Sequence, residues 1–312
     1  MMFDFVGMGE PMLEFTQLPP DPDGKRLYLE GYGGDTSNAT IAAARQGART
    51  GYISALGQDF AGDSFMALWA REGVDSSGVV RKAAHLTGVY FILHGPMGHE
   101  FLHYRQNSAA SAFAAADLRQ DLLKNTRLFF ASGISQGIST SAADAVFAAI
   151  DVVRRAGGMI AYDTNYRPKL WPPARAAAVM HAAIGMSDIV LPGMDDAQAM
   201  LGLTDADRIL DHYLRLGPKI AVLRMGAQGA YLATADSRTR VPVYPVEMRD
   251  ASGAGDTFCG SFLARVLAGD EPPQAARYAN VAAALKCTGY GAVAPIPRPP
   301  EIRAALDAMP TP

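Results

Sequence analysis

The sequence predicts a layered α/β fold around a mostly parallel β-sheet. Short apolar runs, which predict strands, alternate along the chain with longer Ala-rich segments of helical period. Several of the apolar runs are continuous rather than alternating in polarity, which is typical of strands covered on both faces. A regular order of strands and helices favours parallel strands with helices packed on the sheet.

The predicted elements alternate along most of the chain. The apolar runs predict strands at residues 3–7, 51–55, 128–131, 160–163, 189–191 and 220–223. Helical periodicity predicts helices at residues 36–46, 64–72, 141–156, 173–186 and 274–287.

Two segments interrupt this alternation. Residues 10–33 contain too many prolines and glycines for a long helix. Residues 86–94 and 99–105 predict two strands joined by a turn that contains Gly and Pro, which is a hairpin signal. Because no helix covers these segments, we expect them to form a small β-sheet that acts as a lid over a pocket. The predicted lid comprises about residues 12–33 and 86–106.

The composition favours one globular domain over residues 1–312, since 49% of the residues are hydrophobic and 19% are charged. The 28 Lys and Arg residues oppose 31 Asp and Glu residues, so the net charge is −3 and no nucleic-acid partner is expected. The first residues lack the basic segment of a signal peptide, and no run approaches the ~18 apolar residues of a membrane span. We therefore expect a cytoplasmic protein without a membrane partner.

The segment Asp-Ala-Ser-Gly-Ala-Gly-Asp-Thr at residues 250–257 carries the strongest chemical signal. It is a glycine-rich turn that opens a helix, and the N–H groups of Gly253, Ala254 and Gly255 can point together at an anion such as phosphate. Asp256 beside such an anion is suited to accept the proton of an attacking hydroxyl. The same aspartate would also suit a helix N-terminus with no catalytic role, and both interpretations stay open.

A second segment combines paired glycines with an amide. Gly33 and Gly34 permit close approach of a ligand to the backbone, and the Asn38 side chain can both donate and accept hydrogen bonds from hydroxyl groups. This arrangement suits a polyol. The alternative is a plain helix start with Asp35 or Thr36 as the capping residue.

Both segments together resemble the two signatures of the ribokinase-type (PfkB) carbohydrate kinases, in the right order and over almost the whole chain. The residues that carry the resemblance are Gly33, Gly34, Asn38, Gly47 and Gly57, and the segment 250–257. The resemblance implies a three-layer α/β/α ribokinase-like fold with a β-sheet lid, and ATP with Mg²⁺ as cofactors. It also implies that Asp256 is the catalytic base and that Gly253, Ala254 and Gly255 form the anion hole.

Three further segments resemble the branch of this family that phosphorylates the sugar acid 2-keto-3-deoxygluconate at its primary 6-hydroxyl. They are residues 7–14, 32–36 and 163–171, the last of which reads Asp-Thr-Asn-Tyr-Arg-Pro-Lys-Leu-Trp. An arginine after a buried strand can bind a carboxylate bidentately, so Arg167 is a candidate to bind the carboxylate of a sugar acid. Arg167 could instead pair with Asp163 or a helix end. A kinase for a neutral sugar such as fructose, and a non-catalytic sugar-acid sensor, are the alternative functions.

The resemblance assigns residues to the sugar acid. They are Gly34, Asn38, Tyr90, His103, Arg105, Arg167 and Asp256. Strand alternation places His103 and Arg105 on one face of the hairpin and Tyr104 on the other. The branch usually has Tyr where this chain has His103, so the protonation of that side chain and the hydroxyl it contacts are open. Tyr90 could alternatively form a cross-strand aromatic pair.

The resemblance also assigns residues to the nucleotide and to cations. The nucleotide residues are Asn165, Arg224, Gly226, Ala227, Gly229, Gly253, Gly255 and Asn280. Asp196 is expected to contact Mg²⁺ through water, although Asp196 and Gly193 depart from the family's usual Glu and Asn. Asp250 and Ser252 lie where some members bind a monovalent cation, so K⁺ is a further candidate. The expected partners are thus a small sugar acid and ATP, together with a second copy of the chain through the exposed edge of the lid.

Overall fold

The computed structural model of the protein describes residues 2–95 and 98–309, which form an α/β fold with two β-sheets. The strands are β1 (Phe3–Met8), β2 (Met12–Leu18), β3 (Leu27–Gly33), β4 (Thr50–Gly57), β5 (Asp75–Lys82), β6 (Gly88–Gly95), β7 (Gly98–Tyr104), β8 (Thr126–Ser132), β9 (Met159–Asp163), β10 (Ile189–Leu191), β11 (Ile220–Arg224), β12 (Ala230–Ala233) and β13 (Arg238–Val241). The α-helices are α1 (Asp35–Arg45), α2 (Phe60–Glu72), α3 (Gln120–Lys124), α4 (Gly133–Gly137), α5 (Thr140–Arg155), α6 (Pro173–Ile184), α7 (Met194–Leu201), α8 (Ala206–Leu216), α9 (Ala254–Leu267), α10 (Pro272–Lys286) and α11 (Pro299–Asp307).

The large sheet has nine strands in the order β13-β12-β11-β10-β9-β8-β1-β4-β5. Its neighbouring strands are parallel, except that β12 runs antiparallel to both β11 and β13. Successive residues of the central strands face two separate apolar clusters: Phe5 and Phe130 pack in one, and Val6 and Phe129 in the other. The sheet is therefore covered on both faces, and the predicted layered α/β fold is confirmed.

The elements predicted from periodicity are present with shifted ends. The six predicted strands correspond to β1, β4, β8, β9, β10 and β11, and the five predicted helices to α1, α2, α5, α6 and α10. Strand β5 was not predicted, because it lies at the sheet edge and only one of its eight residues is buried. Helix α8 was also missed, although the buried Ile209, Leu210 and Tyr213 have the helical spacing that would have revealed it.

The small sheet has four strands in the order β3-β2-β6-β7 and draws them from the two segments that interrupt the alternation. Pairs β2–β3 and β6–β7 are antiparallel hairpins, while β2 and β6 are parallel, so the two hairpins join into one sheet. Residues 96–97 of the predicted turn lie outside the described residues. One face of the sheet carries Phe91 packed against Phe15, Tyr28 and Tyr104. Association of two copies through this sheet stays a prediction.

Helices α1 and α9 lie side by side and bring their N-termini together. The close approach requires Gly260 in α9, since a Cβ there would collide with the Ala39 carbonyl oxygen and lie 2.8 Å from Ala42 Cβ. Gly34, which precedes α1, has a φ of +107° and would collide with the Glu10 carbonyl if it carried a side chain. The two helix starts therefore meet next to the segment that follows β1.

None of the helices in the described parts of the chain is long and apolar enough to span a membrane.

Candidate active site

A cavity of about 1300 Å³ lies between the small sheet and the N-termini of α1 and α9. Its lining brings together most of the residues that the sequence predicted for the site. These are Gly34, Asn38, Tyr90, His103, Arg105, Asn165, Arg167, Arg224, Ser252, Gly253, Gly255 and Asp256. Residues separated by more than 200 positions thus converge, because both helices begin at the same edge of the large sheet.

Asp256 lies in the first turn of α9, partly buried, with its carboxylate in the cavity lining. The Asn38 side-chain amide donates a hydrogen bond to Asp256 Oδ2 at 2.8 Å. Burial raises the pKa of the Asp256 carboxyl to about 7, and the negative charge of Asp35 adds to this shift while the bond from Asn38 opposes it. A carboxylate with this pKa is suited to accept a proton near neutral pH.

The turn before α9 presents two free amides rather than three. Among the described residues, none accepts a hydrogen bond from the N–H of Gly253 or Gly255, but the N–H of Ala254 donates to the Ala251 carbonyl at 3.1 Å. Ala254 therefore contributes no free donor, which corrects the expectation that all three amides do. The two free amides and the positive end of the helix dipole are still suited to bind an anion.

A buried ion pair lies directly beside this turn. Arg224, at the end of β11, is paired with Asp163, at the end of β9, and also donates to the Leu191 carbonyl at 3.0 Å. A Cβ at Gly255 would lie 2.6 Å from Arg224 Nη1, so the guanidinium is adjacent to the first turn of α9. Burial raises the pKa of Asp163 to about 6 although Arg224 lowers it, so Asp163 is ionised at pH 7 and holds Arg224 in place. Asp163 thus pairs with Arg224 and not with Arg167.

Asp35 and Asn165 form a second contact across the site. The Asn165 amide donates to Asp35 Oδ2 at 2.8 Å, and Asn165 has an unusual φ of +31°. The other oxygen of Asp35 is buried without a partner among the described residues. From the sequence, Asp35 was predicted as a capping residue and not as a site residue, although its position beside Gly34 was the available signal for a site residue.

The two arginines predicted for a substrate carboxylate have different surroundings. Arg105 is ion-paired with the fully buried Glu10, which also accepts a hydrogen bond from Ser108. Arg167 is exposed to the cavity, donates to the Tyr166 carbonyl at 2.9 Å and has no ion pair in the described chain. The sequence analysis did not identify Glu10 as a site residue, although it lies in the run that follows β1.

Tyr90 and His103 lie directly opposite each other on β6 and β7. Their rings stack with centroids 5.5 Å apart, and the Tyr90 hydroxyl donates to the buried Glu14. Burial, together with the positive charges of Arg105 and other nearby cations, lowers the pKa of His103 to about 4. His103 is therefore neutral at pH 7, and both Tyr90 and His103 line the cavity while forming the cross-strand pair.

Several predicted residues do not line the cavity: Asp196, Gly226, Ala227, Gly229, Asp250, Ala254 and Asn280. Asp196 in α7 accepts a hydrogen bond from Thr164 at 2.7 Å. Asn280 in α10 donates to the Pro242 carbonyl. Within residues 2–95 and 98–309, no group of three or more His, Cys, Asp or Glu side chains could hold a metal ion by itself.

A layered α/β fold in which a carboxyl group and the N-terminus of a helix share one cavity is typical of small-molecule kinases with a ribokinase-like fold. The family described as pfkB family carbohydrate kinase matches residues 19–299. The chain is 31% identical over 314 residues to the 2-dehydro-3-deoxygluconokinase of Thermoproteus tenax, which covers 99% of this chain and 95% of that protein. It is 29% identical over 318 residues to fructokinase-1 of Oryza sativa subsp. japonica, with 97% of each chain covered.

A solved structure agrees with these similarities. It is of an Escherichia coli protein provisionally assigned as ribokinase II, in complex with ATP and Mg²⁺, with a TM-score of 0.90 and 26% identity over 98% of this chain and 100% of that one. The chain therefore belongs to the pfkB family of carbohydrate kinases. The predicted family and the predicted ribokinase-like fold are both confirmed.

The buried pair predicts a large loss of stability on removal of one charge. Asp163→Asn should lower the free energy of unfolding by about 3 kcal/mol, because it leaves the Arg224 guanidinium buried without a counter-charge. Urea unfolding measures this change. Asp151→Asn is the control, since Asp151 pairs with Arg155 on the exposed face of α5 and should change stability by about 0.5 kcal/mol or less. Equal losses in the two variants would contradict the prediction.

Proposed function

We propose that the protein transfers the γ-phosphoryl group of ATP to the 6-hydroxyl of 2-keto-3-deoxygluconate, which gives 2-keto-3-deoxy-6-phosphogluconate. One observation carries the proposal: a single cavity holds a carboxyl with a pKa of about 7, at Asp256, and a guanidinium without an ion pair in the described chain, at Arg167. The Asp256 carboxyl is suited to take the proton of a sugar hydroxyl, and the Arg167 guanidinium is suited to bind a substrate carboxylate. The similarity to the Thermoproteus tenax 2-dehydro-3-deoxygluconokinase supports this choice of substrate.

In this proposal Asp256 accepts the proton of the sugar hydroxyl while Asn38 holds the carboxylate in place. The free amides of Gly253 and Gly255 and the start of α9 stabilise the negative charge that develops on the transferred group. Arg224 lies beside this turn and adds positive potential there. ATP with Mg²⁺ supplies the phosphoryl group and neutralises its charge when bound.

The sugar acid is placed by residues on three sides of the cavity. Arg167 binds the carboxylate, whereas the charge of Arg105 is balanced by Glu10. The neutral His103 offers one donor and one acceptor to a hydroxyl. Because His103 belongs to the small sheet, that sheet serves as the lid that excludes water, so that phosphate goes to the sugar rather than to solvent.

In this proposal the nucleotide lies along the turn between β11 and β12. Arg224 ends β11 directly before this turn, and its guanidinium lies beside the first turn of α9. Gly226, Ala227 and Gly229 form the turn, and Asn280 lies under the loop that follows β13. The residues present fit a Mg²⁺ held mainly by phosphate oxygens and water. Asp35, which lines the cavity and has one oxygen without a partner in the described chain, would help to hold the ion through water, and Asp196, outside the lining, is the other candidate for this role.

A kinase for a neutral sugar such as fructose is the second candidate. The similarity to rice fructokinase-1 over 97% of both chains favours it, and so does the pairing of Arg105 with Glu10, which leaves one cation fewer for a carboxylate.

Removal of the base predicts a selective loss of turnover. Asp256→Asn should lower kcat by about 10²–10⁴-fold, because the amide cannot accept the hydroxyl proton, and should leave ATP affinity within about threefold of the native value. A coupled assay of ADP release gives kcat, and equilibrium binding of ATP is the control. Near-native turnover in this variant would reject Asp256 as the base.

The raised pKa of Asp256 predicts a pH profile. Below about pH 7 the carboxyl is protonated and cannot accept a proton. We therefore expect kcat/KM for the sugar to be constant above about pH 7 and to fall below it, with a slope that approaches about tenfold per pH unit. Phosphate groups also titrate near about pH 6, so residual activity of Asp256→Asn is the control. If the acid limb persists unchanged in that variant, the limb belongs to the nucleotide and the assignment is wrong.

Substitution of Arg167 separates the two candidate substrates. A panel of sugar acids and neutral sugars in the ADP-release assay first identifies the acceptor. With a sugar acid, Arg167→Ala should raise KM by about 10- to 150-fold, the equivalent of 1.5–3 kcal/mol for a charge-assisted hydrogen bond. Arg175→Ala, an exposed arginine of α6, is the matched control and should leave KM unchanged. A preference for fructose with no response to Arg167→Ala would instead support the second candidate.

A further inference from the structure

A lysine side chain is buried beneath the turn that carries the anion-binding amides. Lys286 is the last residue of α10, and its side chain is 0% exposed. Its ammonium Nζ donates a hydrogen bond to the Asp250 carbonyl at 2.9 Å and lies 3.9 Å from Asp250 Oδ2. Burial of a charged group is costly unless it is paired and hydrogen-bonded, so this position is built for a cation.

The oxygen atoms around this ammonium are held in place by other contacts. Asp250 Oδ1 accepts a hydrogen bond from the Ser252 N–H at 2.8 Å, and Oδ2 accepts one from the Gly291 N–H at 2.8 Å. Burial lowers the pKa of Lys286, and the negative charges of Asp250 and of the buried Glu14 oppose this shift. The carboxylate and the carbonyl of Asp250 are therefore fixed in an orientation that faces a positive charge.

These are the residues for which family resemblance implies a monovalent cation. A carboxylate with a neighbouring carbonyl is a suitable donor set for K⁺, but here the Lys286 ammonium already contacts both groups. An ammonium and K⁺ carry the same charge and are similar in size. A second cation at this position would be repelled by Lys286, so the residues present do not fit a bound K⁺.

We propose that the Lys286 ammonium takes the place of the monovalent cation in this kinase and positions the turn of residues 250–255, so that phosphoryl transfer needs no added K⁺. Lys286 does not line the cavity and acts through its contact with Asp250, so it is a positioning residue. Its hydrogen bond to the Asp250 carbonyl fixes the start of the turn whose Gly253 and Gly255 N–H groups have no acceptor among the described residues. The inference rests on the kinase activity of the family and not on which sugar is the acceptor.

The first test is the cation dependence of the native enzyme. ADP release is measured in KCl, NaCl and tetramethylammonium chloride at equal ionic strength, with whichever sugar of the panel is turned over. The rates should agree within about twofold. A rise of about fivefold or more on replacing tetramethylammonium by K⁺ overturns the proposal. Turnover of a sugar other than 2-keto-3-deoxygluconate rejects the proposed substrate but leaves this test intact.

Two substitutions at Lys286 distinguish a positioning charge from simple packing. Lys286→Ala leaves space for an ion, so it should lose at least about tenfold in kcat in tetramethylammonium chloride and recover in KCl or ammonium chloride. Lys286→Met fills the space without a charge, so it should lose activity and not recover. Lys219→Ala removes an exposed lysine and should match the native enzyme in all salts. Loss in Lys286→Ala that no cation restores overturns the proposal.

Thermal unfolding gives a readout that needs no substrate. KCl should raise the Tm of Lys286→Ala by about 2 °C or more over tetramethylammonium chloride, and should leave the native Tm unchanged. Stabilisation of the native protein by K⁺ would show a second cation site and contradict the inference. If Lys286→Ala does not fold, the salt dependence of the native rate and Tm still decides the question.

Discussion

The hydrogen bond from Asn38 to Asp256 joins the first turns of two helices whose bonded residues are 218 positions apart, and the site depends on it. It requires that α1 and α9 lie in close contact, which the absence of a side chain at Gly260 permits. The bond also holds the Asp256 carboxylate at the N-terminus of α9, close to the N-terminus of α1, where Asp35 lies. Burial, and after it the negative charge of Asp35, raises the pKa of Asp256, which makes this carboxyl group suited to act as a base near neutral pH.

The charges around the cavity are mostly paired, and the pairs determine what remains for ligands. Asp163 holds Arg224, Glu10 holds Arg105, and Asp250 holds Lys286. Each pair fixes a backbone segment or a side chain close to the reacting groups. Because these cations are already balanced, the positive charge left for an acidic ligand lies at Arg167 and Lys169, which line the cavity without an ion pair in the described chain. In the proposed function, selectivity for a sugar acid over a neutral sugar would depend on these exposed cations.

Local patterns were sufficient to predict the parts of the fold that depend on burial. The continuous apolar runs of β8, β9 and β10 predicted buried parallel strands, because strands covered on both faces have no polar alternation. Strand β5 escaped detection because an edge strand needs few apolar residues. The parallel pairing of β2 with β6 was also not predictable, since neither hairpin contains a local signal for its partner.

The sequence by itself determined the family, the glycine-rich turn with Asp256 and the segment 163–171 that contains Arg167, because these signals lie in residues adjacent along the chain. The tertiary structure alone decided which charges pair. Glu10 with Arg105, Asp163 with Arg224 and Lys286 with the turn at Asp250 each join residues 36 or more positions apart. No local pattern encodes such a contact, because its energy arises only when folding removes both groups from water.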